Sequence, residues 1–430
     1  NKINNSLIWK KMPDGYKPGK LENNSIHNML VFLRHNEKYR GLFRFDRFAQ
    51  RTLLYREPFW HDTKERFRVR VITDNDTLYI TAAFEKDGLS PTPGRVREAI
   101  EVAAAENWID PPLEYFKKIK WDGVKRLETW TQKYLGAEGD NDYLSFVGPA
   151  WLIAGVARQF DHGCRVDNMI VLEGDQGLMK STALETLANI GYGADAESYF
   201  CDSLTFADIA GSKKMDSVLT LLGKVIVEFA ELAKLGNREI EETKAWLSRR
   251  NDEGRRAFGR DIVKYPRRFI TAGTTNDCIW LKDQTGNRRF WPIKCTNIDI
   301  EGLKRDKEQL WAEAAYLYKE KTKWWLERKA PIWIKAENEQ ELRLIEDVWT
   351  NPIEDFVSCM NFVTVKEILN NFKIEAADQN DYQQMRVTKI LRRLKFESAT
   401  RRVAGKVTRG WQRKKPVNEF VEAEFEEIAF

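Results

Sequence analysis

The chain has 430 residues, 42% hydrophobic and 31% charged, a length that points to two or three domains and a balance that excludes wholesale disorder. No apolar run approaches the ~20 residues a bilayer requires, and the start Asn1-Lys2-Ile3 has no basic-then-apolar leader pattern. Cys164, Cys201, Cys278, Cys295 and Cys359 lie far apart without a C-x-x-C pair, which argues against disulfide scaffolds and zinc sites and fits a reducing cytoplasm; the net charge of +5 matters only where it is concentrated.

In chain order, residues 1–25 are polar and read as a linker or arm, and the absence of an initiator Met leads to the expectation of a further domain upstream. Residues 26–137 are expected to be mainly helical. Val96, Ala99, Ile100 and Ala103 recur at i, i+3, i+4 and i+7 within Gly94–Asn107, the stripe of an amphipathic helix. Pro111-Pro112 opens another helix, because the first helical position has no use for an N–H, and Trp121-Asp122-Gly123 reads as a turn.

Residues 138–350 alternate strand, loop and helix. The apolar, β-branched-rich runs Met169–Leu172, Lys224–Phe229 and Phe269–Ala272 predict buried strands of a largely parallel α/β sheet. After the first run comes Gly174-Asp175-Gln176-Gly177-Leu178-Met179-Lys180-Ser181-Thr182, then the predicted helix Ser181–Ile190. This is the context of a phosphate-binding loop. Glycines let backbone N–H groups turn onto phosphate oxygens, and the helix N-terminus adds partial positive charge. Lys180 is expected on the β- and γ-phosphates of ATP and Ser181 on Mg²⁺. Met179 stands where the pattern has glycine; the bland alternative is a capping turn beside an exposed lysine.

The second run ends Val227-Glu228-Phe229-Ala230-Glu231-Leu232, with carboxylates at a strand end, where hydrolysis needs one near the metal and one to polarise water. Glu228 is assigned to the metal and Glu231 to the water, with the reverse nearly as good; either glutamate alone could be a solvated helix-start residue. Glu253–Tyr265 follows, in which Arg255, Arg256, Phe258, Arg260 and Lys264 fit a hairpin gripping single-stranded DNA, weighed evenly against a solvated charged loop. The third run ends Thr274-Thr275-Asn276, placing Asn276 to orient the lytic water. Gly286-Asn287-Arg288-Arg289-Phe290-Trp291-Pro292 offers Arg288 and Arg289 equally as a finger for a neighbouring subunit's nucleotide, with Phe290 and Trp291 as core anchors rather than base-stacking residues.

Residues 351–415 read as a winged-helix-like module. Val387, Ile390, Leu391 and Leu394 form an apolar helix face opposite Arg386, Lys389, Arg392 and Arg393, and Ser398–Trp411 reads as a hairpin about Ala404-Gly405. Its basic helix face and wing suggest DNA contact, although such modules also dock proteins. Residues 416–430 carry five glutamates and no basic residue, an acidic tail.

Taken together, Glu173–Gly177 with Lys180-Ser181-Thr182, Val227–Leu232, Ala272–Asp277 and Thr285–Pro292 resemble the virulence-associated E family of phage and mobile-island proteins, itself similar to superfamily 3 helicases among the AAA+ ATPases. Trp121-Asp122-Gly123, Gly155–Arg158 and Gly163–Asp167 also fit, so that the resemblance spans roughly 105–330. It implies an α/β P-loop NTPase (AAA+-like) core with an N-terminal mainly helical domain and the C-terminal winged-helix-like module. It further implies a homo-oligomeric ring, expected to be a hexamer, with ATP between subunits and a hairpin that moves along single-stranded DNA, typically 3′ to 5′. Many relatives carry a primase or polymerase domain upstream. The expected activity is an ATP- and Mg²⁺-dependent DNA helicase for phage or mobile-element replication. The rivals are a DNA-binding or origin-recognition scaffold with little hydrolysis, and a P-loop kinase, against which the basic segments and wing speak.

Overall fold

The computed structural model describes residues 22, 24–61, 65–190, 199–210, 214–234, 236–254, 262–282, 286–328, 330–345, 347–375, 379–403 and 406–413. The expected arm and acidic tail therefore lie almost wholly outside the described residues. The chain divides into two units, Asn1–Arg343 and Leu344–Phe430.

The first unit opens with α1 (Ile26–His35), β1 (Phe43–Asp46), β2 (Arg51–Leu54), β3 (Arg70–Val71), α2 (Asp74–Lys86), α3 (Pro93–Glu106) and β4 (Trp108–Ile109). Val96, Ala99, Ile100 and Ala103 of α3 are buried, as their spacing requires. They pack with Met29, Phe32 and Phe84 into a core of their own. Helices dominate this stretch, but it also holds a small sheet in the order β3-β2-β1-β4. These strands are two to four residues long, too short to set up a readable alternation.

Next come α4 (Pro111–Lys118), α5 (Trp130–Leu135) and α6 (Asn141–Phe160). Asp140 caps α6 by accepting from the Tyr143 N–H. Nearly all of α6 is buried because it lies within the main core: Trp151 donates from Nε1 to the Thr271 carbonyl at 2.8 Å, beside Trp130 and Trp311. The remaining elements are β5 (Met169–Glu173), α7 (Lys180–Ala188), β6 (Phe200–Cys201), α8 (Phe206–Ala210), α9 (Lys214–Leu221), β7 (Ile226–Phe229), α10 (Asn237–Leu247), β8 (Asn251–Gly254), β9 (Val263–Pro266), β10 (Ile270–Thr275), β11 (Phe290–Lys294), α11 (Ile300–Lys319) and α12 (Pro331–Glu341).

Five of the strands form one parallel sheet in the order β11-β5-β10-β7-β6, so the unit is a mixed α/β structure. β5 and β7 are buried at every position, which explains their unbroken apolar runs. After β5 the chain builds β6, β7 and β10 on one flank and then returns to lay β11 on the other. The order reverses at β5, and parallel α/β sheets open their ligand crevice beyond the carboxyl ends of strands at such a reversal. Among the described residues, no helix is long and apolar enough to cross a membrane.

The second unit holds α13 (Thr350–Val357), β12 (Phe362–Val363), α14 (Val365–Asn371), α15 (Asp381–Arg393), β13 (Phe396–Val403) and β14 (Lys406–Arg413). β13 and β14 pair antiparallel from Phe396↔Arg413 to Val403↔Lys406, with β12 on the outer edge of β14. Val387, Ile390 and Leu391 of α15 are buried against Ile353, Val363 and Ile368. The helices thus pack beside a three-stranded sheet in the order β12-β14-β13, and the turn of the β13–β14 ribbon, 404–405, is outside the described residues.

Candidate functional site

The loop between β5 and α7 leaves the sheet at the reversal. Gly174 has φ +145° and Gly177 φ +88°, and a Cβ on Gly174 would lie 2.6 Å from the Cys295 carbonyl oxygen. No other residue fits there without moving backbone. Met179 has φ +62°, a left-handed conformation that costs an L-residue on the order of 1–2 kcal/mol. That geometry accounts for the glycine of the usual pattern, and the Met179 side chain is half exposed.

Lys180, at the first turn of α7, is buried. Its ammonium donates to the carbonyls of Gly174 at 2.5 Å and Asp175 at 2.9 Å and to Asn276 Oδ1 at 3.0 Å. Burial lowers its pKa. These three neutral acceptors are a weak substitute for anionic oxygens, so the ammonium is held in position but not neutralised.

Across the crevice, the carboxylate of Glu228 on β7 is only 1% exposed. Its Oε1 accepts from Ser181 Oγ at 2.7 Å and from Thr274 Oγ1 at 2.6 Å. Its Oε2 is buried with no hydrogen-bond partner among the described residues. Burial pushes its pKa up, and the nearby Asp202 pushes it the same way. A buried carboxylate with one oxygen left over is costly unless something positive completes it. The Ser181 hydroxyl, the Glu228 carboxylate and the adjacent loop thus form a donor set that could hold Mg²⁺ with a nucleotide's phosphates.

Glu231 is not brought to this cluster. It has φ +57°, and its mostly exposed carboxylate pairs with Lys234 at 2.7 Å. Nothing in the sequence pointed to Asp202, just past the two-residue strand β6; the short apolar run Tyr199-Phe200-Cys201 is the signal that could have found it. Nor did the sequence suggest what holds the loop's root. Glu173, the last residue of β5, is buried and accepts from Trp280 Nε1 at 2.7 Å and from Arg343 Nε at 3.0 Å. Gln176, Leu178 and Thr182 complete the loop, with Gln176 and Thr182 exposed and Leu178 packed against the main core.

The virulence-associated protein E-like domain model matches residues 116–343, a span that contains every element of this cluster. The chain belongs to that family. No curated protein matches it. Among solved structures it is similar to the apo C-terminal region of NrS-1, at 15% identity and TM-score 0.47, covering 86% of this chain and 96% of that one. A further apo form of the same region matches at 16% identity and TM-score 0.43, with the same coverage.

Within the virulence-associated protein E-like domain, Arg288 and Arg289 stand just before β11, at the amino edge of the sheet. Phe290 pairs with Met169 and Lys294 with Glu173, so the length of β5, roughly 3.3 Å per residue, separates these arginines from the Gly174 loop of the same chain. Arg289 is half-buried and donates from Nε and Nη2 to Ser248 Oγ at 3.1 and 2.9 Å. Arg288 is exposed, and both arginines line a cavity of about 560 Å³ with Arg165, Arg250, Trp324 and Trp325. Phe290 and Trp291 are both buried in the core. Of the hairpin residues singled out, Arg255, Arg256, Phe258 and Arg260 lie outside the described residues. Lys264, on β9, sits opposite Glu253 of β8, with its ammonium 3.5 Å from that carboxylate.

Proposed function

We propose that this virulence-associated protein E-like chain is an ATP- and Mg²⁺-dependent, ring-forming DNA helicase of phage or mobile-element replication, built on a P-loop NTPase core of the AAA+ kind. The observation that carries this reading is the half-satisfied Glu228 carboxylate held by Ser181 and facing Lys180 and Asn276. Lys180 would release the Gly174 and Asp175 carbonyls to take up the terminal phosphates, and the first-turn amides of α7 would hold the remaining oxygens. Mg²⁺ bound at Ser181 and Glu228 would neutralise charge on the β- and γ-oxygens. Asn276 would orient the attacking water, its carboxamide already within 3.0 Å of the Lys180 ammonium. Arg288 and Arg289, too far from their own loop, would serve a neighbouring subunit's nucleotide, which makes the assembly a requirement of the chemistry. The β8–β9 hairpin would then ride on single-stranded DNA.

ATP turnover measured with and without single-stranded DNA tests this. The wild type is expected to speed up several-fold with DNA, and Lys180→Ala to lose turnover by on the order of 10²-fold or more. Turnover that ignores both DNA and the substitution would refute the proposal. Mixing experiments address the ring: Arg289→Ala subunits added to wild type should depress activity by more than their share, whereas a strictly proportional fall would mean the arginine does not act in trans.

The second reading, an ATP-binding scaffold with little hydrolysis, draws support from Glu231, whose carboxylate is turned out to Lys234. It expects tight nucleotide binding and assembly with no DNA-stimulated turnover in the same assay.

A further inference from the structure

The family match ends at residue 343 and does not reach the second unit. Its charge is sharply segregated. Residues 344–380 carry two Lys/Arg against seven Asp/Glu, a net charge of −5, whereas residues 381–413 carry ten against two, a net charge of +8. That stretch alone exceeds the +5 of the whole chain. It comprises α15 and the β13–β14 ribbon.

Some of these cations serve packing. Arg386 donates to both oxygens of Asp347, at 2.7 and 2.6 Å, and lies over the Trp349 ring, which fixes α15 on the module. Arg413 donates to the carbonyls of Val357 and Ser358 and seats the end of β14. Arg392 lies over the Trp411 ring and stays exposed. With Val387, Ile390 and Leu391 facing the core, the opposite stripe of α15 is Tyr382, Met385, Lys389 and Arg392, all exposed. Tyr382 is 69% and Met385 59% exposed, large side chains left in water at the amino end of a helix whose far end is basic. Along the ribbon, Arg402 and Arg409 share one face and are exposed as well, while Arg401 is on the other face over the Phe362 ring.

We infer that this face is a duplex-DNA site, with α15 entering the major groove and the β13–β14 ribbon following the neighbouring phosphate backbone. The dimensions fit. The major groove is about 12 Å wide and admits one helix, and a helix of 13 residues spans about 20 Å of it. Helices of this kind present their amino-terminal residues to base edges, which is where Tyr382 and Met385 stand; the arginines of the ribbon meet phosphates. The acidic helix α13, with Glu354 and Asp355, lies on the same module, and its charge would repel a phosphate backbone approaching on that side. A protein partner needs no such one-sided accumulation of cations, whereas a polyanion does. This site is separate from the one on the first unit and does not depend on ATP.

The test uses the full chain without nucleotide, titrated into a blunt fluorescent duplex of about two helical turns across a salt series. Wild type should bind, with log K falling linearly in log salt. Arg402→Ala with Arg409→Ala should weaken binding at least about tenfold and reduce the salt slope by about two, one for each phosphate contact removed. Both side chains are exposed, so folding is not at issue, and Lys at both positions should restore the slope. Tyr382→Ala should lower affinity without changing the slope. Single-strand-stimulated ATP turnover should be unchanged in all these variants, which separates failure here from failure of the ATPase reading. If the wild type ignores duplex, or the double alanine variant keeps both affinity and slope, the inference is overturned and the basic face serves some other partner.

Discussion

Replacing Glu228 with Gln is expected to leave nucleotide binding within a few-fold of wild type while cutting ATP turnover by on the order of 10²-fold or more, the scale set by loss of a group that positions a metal. Gln has the same shape, and its Oε1 can still accept from Ser181 and Thr274. What it loses is the negative charge and the free lone pairs of Oε2. The apo protein should respond in the opposite sense. Burial raises the Glu228 pKa in the folded state, so the ionised side chain opposes folding at neutral pH. Its contribution is most favourable below the ordinary carboxylate range and is lost as pH rises through the raised folded value. Without ligand, Glu228→Gln should therefore melt higher than wild type at neutral pH, with the gap closing on acidification. With Mg²⁺ and nucleotide the order should reverse, because only the wild type gains the metal contact. Phosphate release, a fluorescent nucleotide titration and paired melts measure all three. A variant that hydrolyses ATP at the wild-type rate would remove Glu228 from the site.

How far the sequence reached depended on how local each signal was. β5, β7 and β10 are buried on both faces, so their apolar runs stood out, and the loop after β5 announced itself through Gly174, Gly177 and Lys180 within one short segment. Glu228 and Asn276 stood out because the first interrupts the end of such a run and the second follows one a few residues on. Glu231 follows the same run, but a left-handed turn aims it at Lys234, and a backbone dihedral at a non-glycine residue leaves no trace in composition. The Glu173–Arg343 pair joins residues 170 positions apart, and nothing in either neighbourhood points to the other. The small sheet of the N-terminal stretch was invisible for a different reason: strands of two to four residues cannot display a period of two. β11 was read for its flanking arginines and not as a strand, since Phe290-Trp291-Pro292 carries a proline, which sits poorly in a sheet interior; β11 is the sheet's outer strand, where it is tolerated.

Arg268→Met should be among the most destabilising single changes in the first unit. Arg267 and Arg268 are adjacent and buried, yet they serve different neighbours. Arg267 donates to both oxygens of Asp252 at the base of the β8–β9 hairpin and stacks over Trp246. Arg268 donates to both oxygens of Asp110, at 2.6 and 2.8 Å, and to Gln159 Oε1 at 3.0 Å, and lies over Phe48. Asp110 is itself the cap of α4. Removing the guanidinium strands a buried carboxylate, a loss of about 3–5 kcal/mol, which should lower the melting midpoint by at least about 5 °C in a domain of this size. Combining Arg268→Met with Asp110→Asn should recover most of it, since Asn still caps the helix and no charge is left unpaired. If the single and double variants melt alike, the pair contributes little and Arg268 matters only through packing. The position gives the measurement a second use. Both arginines lie just upstream of β10, whose far end carries Asn276, so the strand that reaches the nucleotide pocket is clamped at its root to the hairpin by one residue and to the N-terminal helices by the next. Loss of DNA stimulation in Arg268→Met, at a temperature where it remains folded and still binds nucleotide, would mean that this root transmits as well as supports.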